Sequence, residues 1–108
     1  MSAWKDLERR VARALGGERA GPRGREGADV VGVPFAVEVK RTVSDTGGVR
    51  GAWIRQAKAQ AELEGVPWVL VVARHHDRAP ICVCDFGLFV ELARESGRIP
   101  ELENAAGL

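Results

Sequence analysis

A chain of 108 residues, 45% hydrophobic and 29% charged, has room for one domain with one modest core and not for two. A net charge of +1 does not mark the whole chain as a polyanion binder, and no apolar run approaches the ~20 residues that span a bilayer. The amino terminus, Met1-Ser2-Ala3-Trp4-Lys5-Asp6, lacks the apolar stretch of a signal peptide, so an intracellular, cytoplasmic location without a membrane partner is the expectation.

Trp4, Leu7, Val11 and Leu15 recur at helical spacing, which predicts an amphipathic helix from about Trp4 to Leu15, stopped by Gly16-Gly17. Glu8 falls on that apolar stripe. A carboxylate there either reaches water at the stripe's edge or points at a cation, because burying it unpaired is costly. Residues 18–27 are rich in glycine and arginine, with room for one short strand near Glu18-Arg19-Ala20. Ala28 to Val31 and Phe35 to Lys40 read as strands, and Gly32-Val33 suits a tight hairpin turn with glycine at its first central position. Alternation in the second strand puts Phe35, Val37 and Val39 on one face and Ala36, Glu38 and Lys40 on the other.

Arg41 to Gly51 reads as a polar loop, and its Gly47-Gly48 lacks the Lys-Ser/Thr that completes a phosphate-binding loop. Ala52 to Glu64 is an alanine-rich helix with Trp53, Ile54, Ala57 and Ala61 as its stripe, ended by Gly65. Pro67 to Ala73 is nearly all apolar, as in a strand buried on both faces. Arg74-His75-His76-Asp77-Arg78 reads as a solvated turn, followed by a strand from Ile81 to Cys84. The two cysteines, Cys82 and Cys84, share a strand face where a disulfide is strained, and read as reduced core residues. Asp85 caps a final helix from Phe86 to about Ser96. On that helix Phe86, Phe89, Val90 and Ala93 are expected to face the core, leaving Leu88 and Leu92 as a candidate dimer surface. The order α-β-β-β-α-β-β-α predicts an α/β or α+β domain, helices packed on one mixed sheet.

The chemistry sits on the predicted hairpin. With Gly32-Val33 as the turn, Val31 pairs with Pro34 and Asp29 faces Ala36, one diagonal step from Glu38. A turn at Val33-Pro34 instead pairs Asp29 with Glu38 directly. Both registers put Asp29, Glu38 and Lys40 on one face; a three-residue turn would separate them. Carboxylates this close repel and invite a metal or Lys40 between them. Mg²⁺ prefers oxygen ligands and keeps waters, and such an ion can polarise a phosphate and activate bound water. Lys40 beside that water can orient it or help remove its proton. The bland alternative is an ion pair at a sheet edge.

A helix bearing Glu8, then Gly24-Arg25-Glu26-Gly27-Ala28-Asp29-Val30-Val31 and Phe35-Ala36-Val37-Glu38-Val39-Lys40-Arg41, resembles the core of PD-(D/E)XK nucleases. The resemblance extends through Trp53-Ile54-Arg55-Gln56-Ala57 and Pro67 to Val72, covers residues 4 to 93, and looks nearest to archaeal-type Holliday-junction resolvases and small phage relatives. Ala28 stands where the family name has proline, a departure that leaves Asp29 in place. The resemblance implies a single nuclease domain over residues 1–108 with a restriction-endonuclease-like fold. It implies that Asp29 and Glu38 ligate Mg²⁺, with Mn²⁺ substituting, helped by the backbone carbonyl of Val39 and supported by Glu8. Lys40 would position or activate the water, and Gln56 would brace the site, with Gln60 competing for that role. Arg9, Arg23, Arg25 and Arg41 would contact DNA phosphates. The implied activity is that of a homodimeric resolvase cutting opposed strands of four-way junctions, in the cytoplasm of its cell or of a phage's host, without a small-molecule cofactor. Another small restriction-like or nicking nuclease, or a non-catalytic DNA-binding module of the same fold, are the alternatives.

Overall fold

The computed structural model describes residues 3–20, 28–42, 48–74 and 79–100. In chain order the elements are α1 (Ala3–Leu15), β1 (Glu18–Arg19), β2 (Val30–Val31), β3 (Ala36–Arg41), α2 (Gly51–Glu64), β4 (Trp68–Ala73), β5 (Ile81–Cys84) and α3 (Phe86–Glu95). The five strands form one mixed sheet in the order β1-β2-β3-β4-β5. All neighbours are antiparallel except β3 and β4, which run parallel because α2 carries the chain back between them. Among the described residues no helix is long and apolar enough to cross a membrane.

The period-two pattern of β3 divides the domain. Val37 and Val39 are almost wholly buried in a cluster with Leu7, Val11 and Ala12 of α1, Val30 of β2, Val69 of β4 and Leu88 of α3. Ala36, Glu38, Leu70 and Val72 are buried as well, and alternation puts them on the opposite face, where α2 packs on β3 and β4. Small residues let that helix lie close: Ala57 and Ala61 are its buried positions. Glu38 therefore belongs to an otherwise apolar layer.

The four residues from Gly32 to Phe35 form the hairpin loop, longer than a two-residue turn. Val30 pairs with Val37, so the register with Val31 opposite Pro34 is corrected to the one that sets Asp29 against Glu38. In this register Val30 and Val37 stand directly opposite each other within the α1-facing core. Gly17 is needed where the chain leaves α1: a Cβ there would lie 2.4 Å from the Val31 carbonyl oxygen. This close approach seats β1 beside β2.

Three expectations are revised. Leu15 is 40% exposed and Ala12 completes the α1 stripe instead, since i+4 from Glu8 lies nearer the stripe's centre; the Trp4 side chain lies outside the described residues. Cys82 and Cys84 are free, but Cys82 is exposed and Cys84 only half-buried, because β5 is the edge strand and carries little above it. On α3 both stripes are split: Leu92 is exposed as expected and Val90 and Ala93 are half-buried, but Leu88, Phe86 and Phe89 lie opposite to expectation. Leu88 is the buried anchor, while Phe86 and Phe89 are each 58% exposed and stack on one another at 6.4 Å. Asp85 caps the helix by accepting from the Gly87 N–H at 2.8 Å, and the helix leaves β5 with position 88, not 86 or 89, turned to the sheet.

Candidate active site

Backbone direction on β3 decides what surrounds Glu38. The N–H groups of Ala36 and Thr42 donate to the carbonyls of Pro67 and Ala73 on the β4 side. Even-numbered residues of β3 thus turn their backbone groups toward β4, and odd-numbered ones turn theirs toward β2. Val37 accepts from the Asp29 N–H at 2.8 Å, and the Val39 N–H donates to Asp29 Oδ2 at 2.8 Å. Asp29 is therefore held through both neighbours of Glu38. Its own carbonyl accepts from the Ala20 N–H at 3.0 Å, which ties it to the end of β1 as well. Because β2 begins only at Val30, Asp29 lies just before the strand and its side chain turns onto β3. The Val39 carbonyl, turned the same way as its N–H, also points to this side.

Glu38 is 3% exposed. Its carboxyl is pushed up to about 7, first by burial, then by the charge of Asp29; Lys40 pulls it down, a hydrogen bond with Asp29 raises it, and Glu8 adds repulsion. Two carboxyl groups in hydrogen-bond contact can coexist only if one holds a proton or a cation neutralises them. Lys40, half-buried and two residues along the same face, is the nearest cation on the strand itself. This pair is the centre of the site.

Glu8 lies on α1, 3% exposed, and its place among apolar residues is explained by an ion pair: Arg19 Nε donates to Glu8 Oε1 at 2.7 Å. Burial raises the Glu8 carboxyl, the Arg19 hydrogen bond lowers it, the charge of Asp29 raises it and the Arg19 charge lowers it. The second oxygen, Oε2, is buried without a hydrogen-bond partner. Arg19 is the residue that sequence reasoning passed over. Its one signal was that a carboxylate on an apolar stripe must reach water or a cation, and that the next short strand offered an arginine.

The other expected site residues are spread out. Gln56 is exposed on α2, about 100° around the helix from Ala57. Gln60 donates instead to Glu64 Oε2 on its own helix, at 2.6 Å. Arg9 is exposed and lies 3.2 Å from Asp6. Arg41 is exposed at the end of β3 and, by alternation, on the Val37–Val39 face rather than that of Lys40. Arg23, Arg25, His75, His76, Asp77 and Gly47 lie outside the described residues.

As a metal site the arrangement offers oxygens only: Asp29, Glu38 and the Val39 carbonyl, with Glu8 near enough for its charge to act on Glu38. That donor set suits a hard cation, which would relieve the carboxyl crowding that burial enforces. Among the described residues, no three His, Cys, Asp or Glu side chains are grouped closely enough to hold one ion together, so the donor set is a pair of carboxylates and not a triad. Comparison with family models, with curated proteins and with solved structures found no match.

Proposed function

We propose that this chain is a Mg²⁺-dependent endodeoxyribonuclease of the PD-(D/E)XK type with a restriction-endonuclease-like fold, acting on four-way DNA junctions as a homodimer. One observation carries the reading: the buried carboxyl of Glu38 is in contact with the half-buried carboxyl of Asp29 and shares a strand face with Lys40. Asp29, Glu38 and the Val39 carbonyl would hold the ion, with Mn²⁺ able to replace it. When bound, the ion supplies charge stabilisation at a scissile phosphate and lowers the pKa of water. Lys40 keeps a cation beside Glu38, where it can orient the attacking water or hold its proton. Glu8, backed by Arg19, adds negative charge behind the pair. Arg41 and Arg9, both exposed, are suited to backbone phosphate contact.

One chain carries one such site and cuts one strand at a time, so resolving a junction takes two chains related by a two-fold axis. The exposed Phe86, Phe89 and Leu92 on α3 favour a second copy as partner. The test is cleavage of four-way junction, linear duplex, single-stranded and flap DNA in Mg²⁺ by the wild type, Asp29→Asn and Lys40→Ala. Paired nicks in opposed junction strands, lost in both variants, are expected. Cleavage retained by Asp29→Asn removes the ligand assignment. Equal cutting of linear duplex favours a restriction-like nuclease, and binding without cutting favours a non-catalytic module.

A further inference from the structure

We infer that Arg19 is a positioning residue for the Asp29–Glu38 site: it holds Glu8 by one oxygen and leaves the other as a buried acceptor behind the pair. The inference rests on the metal-site reading above. β1 is only two residues long, yet it reaches both carboxylates. Arg19 pairs with Val30 in the ladder, and the adjoining Ala20 N–H donates to the Asp29 carbonyl at 3.0 Å. From the same strand the Arg19 side chain, 13% exposed, crosses to the Glu8 side chain, 4% exposed. One small element therefore locates Asp29 through its backbone and Glu8 through its side chain.

The form of the ion pair argues for more than cohesion. An arginine that only offsets a buried carboxylate does so best in the two-pronged geometry that engages both oxygens. Here Nε meets Oε1 at 2.7 Å, while Oε2 is buried with no hydrogen-bond partner. A desolvated acceptor left over is costly in a protein interior. Glu8 feels the charge of Asp29, and Glu38 feels that of Glu8, so the Glu8 carboxyl lies within electrostatic reach of the pair that would bind a cation. Without Arg19 a carboxylate this deeply buried cannot stay both ionised and in place. The cluster would then lose one negative and one positive charge together. Its net charge would be unchanged, and what disappears is the held acceptor.

The experiment measures Mn²⁺ affinity of the purified chain from free Mn²⁺ by electron paramagnetic resonance, with melting temperatures in chelator alongside. Glu8→Gln, Arg19→Ala and the double variant are compared with wild type. Arg19→Ala should weaken Mn²⁺ binding about tenfold or more, the range seen when a group supporting a metal ligand is lost. Glu8→Gln should weaken it by a similar factor, and the double variant should bind no more weakly than Glu8→Gln alone. Should Arg19→Ala fail to fold, the double variant removes both buried charges and still supplies the comparison. A folded Arg19→Ala that binds Mn²⁺ like wild type overturns the inference, as does a double variant about tenfold apart from Glu8→Gln in either direction. Wild type that binds no Mn²⁺ overturns the metal-site reading and this inference with it; wild-type binding that Arg19→Ala leaves untouched overturns the inference alone.

Discussion

Replacing Glu38 by Gln should stabilise the metal-free protein above neutral pH and do little in mild acid. The carboxyl is raised from 4.5 to about 7, by burial first and by Asp29 second. In the unfolded chain it loses its proton near the lower value, and in the folded chain only near the higher one. Between the two, the folded state binds the extra proton, so stability rises as pH falls through that window. The cost of holding Glu38 ionised is complete above about 7 and absent below 4.5. At ~1.4 kcal/mol per pH unit the full difference is about 3 kcal/mol, an upper bound for a residue 3% exposed. For a domain of this length that corresponds to a melting-temperature gain on the order of 10 °C. Glutamine keeps the shape and can still hydrogen-bond to Asp29 without carrying the charge. The assay is thermal unfolding of wild type and Glu38→Gln in chelator at a series of pH values from about 5 to about 8, the difference between the two isolating this one group. Adding Mn²⁺ at the alkaline end should raise the wild type and leave the variant nearly unmoved, since bound metal stabilises only a fold that holds its ligands. A variant no more stable than wild type at alkaline pH, or a gain that grows toward acid, would refute the reasoning.

Three further perturbations test other parts of the account. Arg41→Ala should weaken DNA binding and flatten its salt dependence by about one phosphate contact, read from binding curves across salt concentrations; an unchanged slope removes Arg41 from the contact surface. Gly17→Ala places a Cβ 2.4 Å from the Val31 carbonyl oxygen, so β1 must shift. The expected loss is about 1–3 kcal/mol in denaturant unfolding. Phe89→Glu puts a charge on the exposed α3 face, away from the Leu88 anchor. Sedimentation should show wild type at about twice its 11.7 kDa chain mass and the variant near one chain mass, with the melting temperature of the monomer preserved.

Individual elements were legible where the signal is local. The stripe of α1, the alternation of β3 and the glycine that ends α2 each depend on residues within a turn or two. Each helix and strand falls within two residues of its expected ends; β2, whose first half lies outside the ladder, sits at that limit. The loop between β2 and β3 was less legible. Two turn registers satisfied the same-face condition equally well, and only the strand pairing in the folded sheet, Val30 with Val37, distinguishes them. The phase of α3 was not legible at all. Its apolar residues fill more than one face, and periodicity does not say which face meets a neighbour.

The same division runs through the candidate site. Sequence by itself determined that Glu38 and Lys40 share a side of one strand, because alternation is a property of the extended backbone. It also marked Glu8 as a carboxylate that must reach either water or a cation. That Asp29 lies against Glu38, that Arg19 answers Glu8 from eleven residues away, and that Glu38 is buried deeply enough to hold its proton to about 7 were decided by tertiary structure alone. The reason is physical: a repeat in the chain sets directions within an element. Distance, burial and charge come from the elements packed against it.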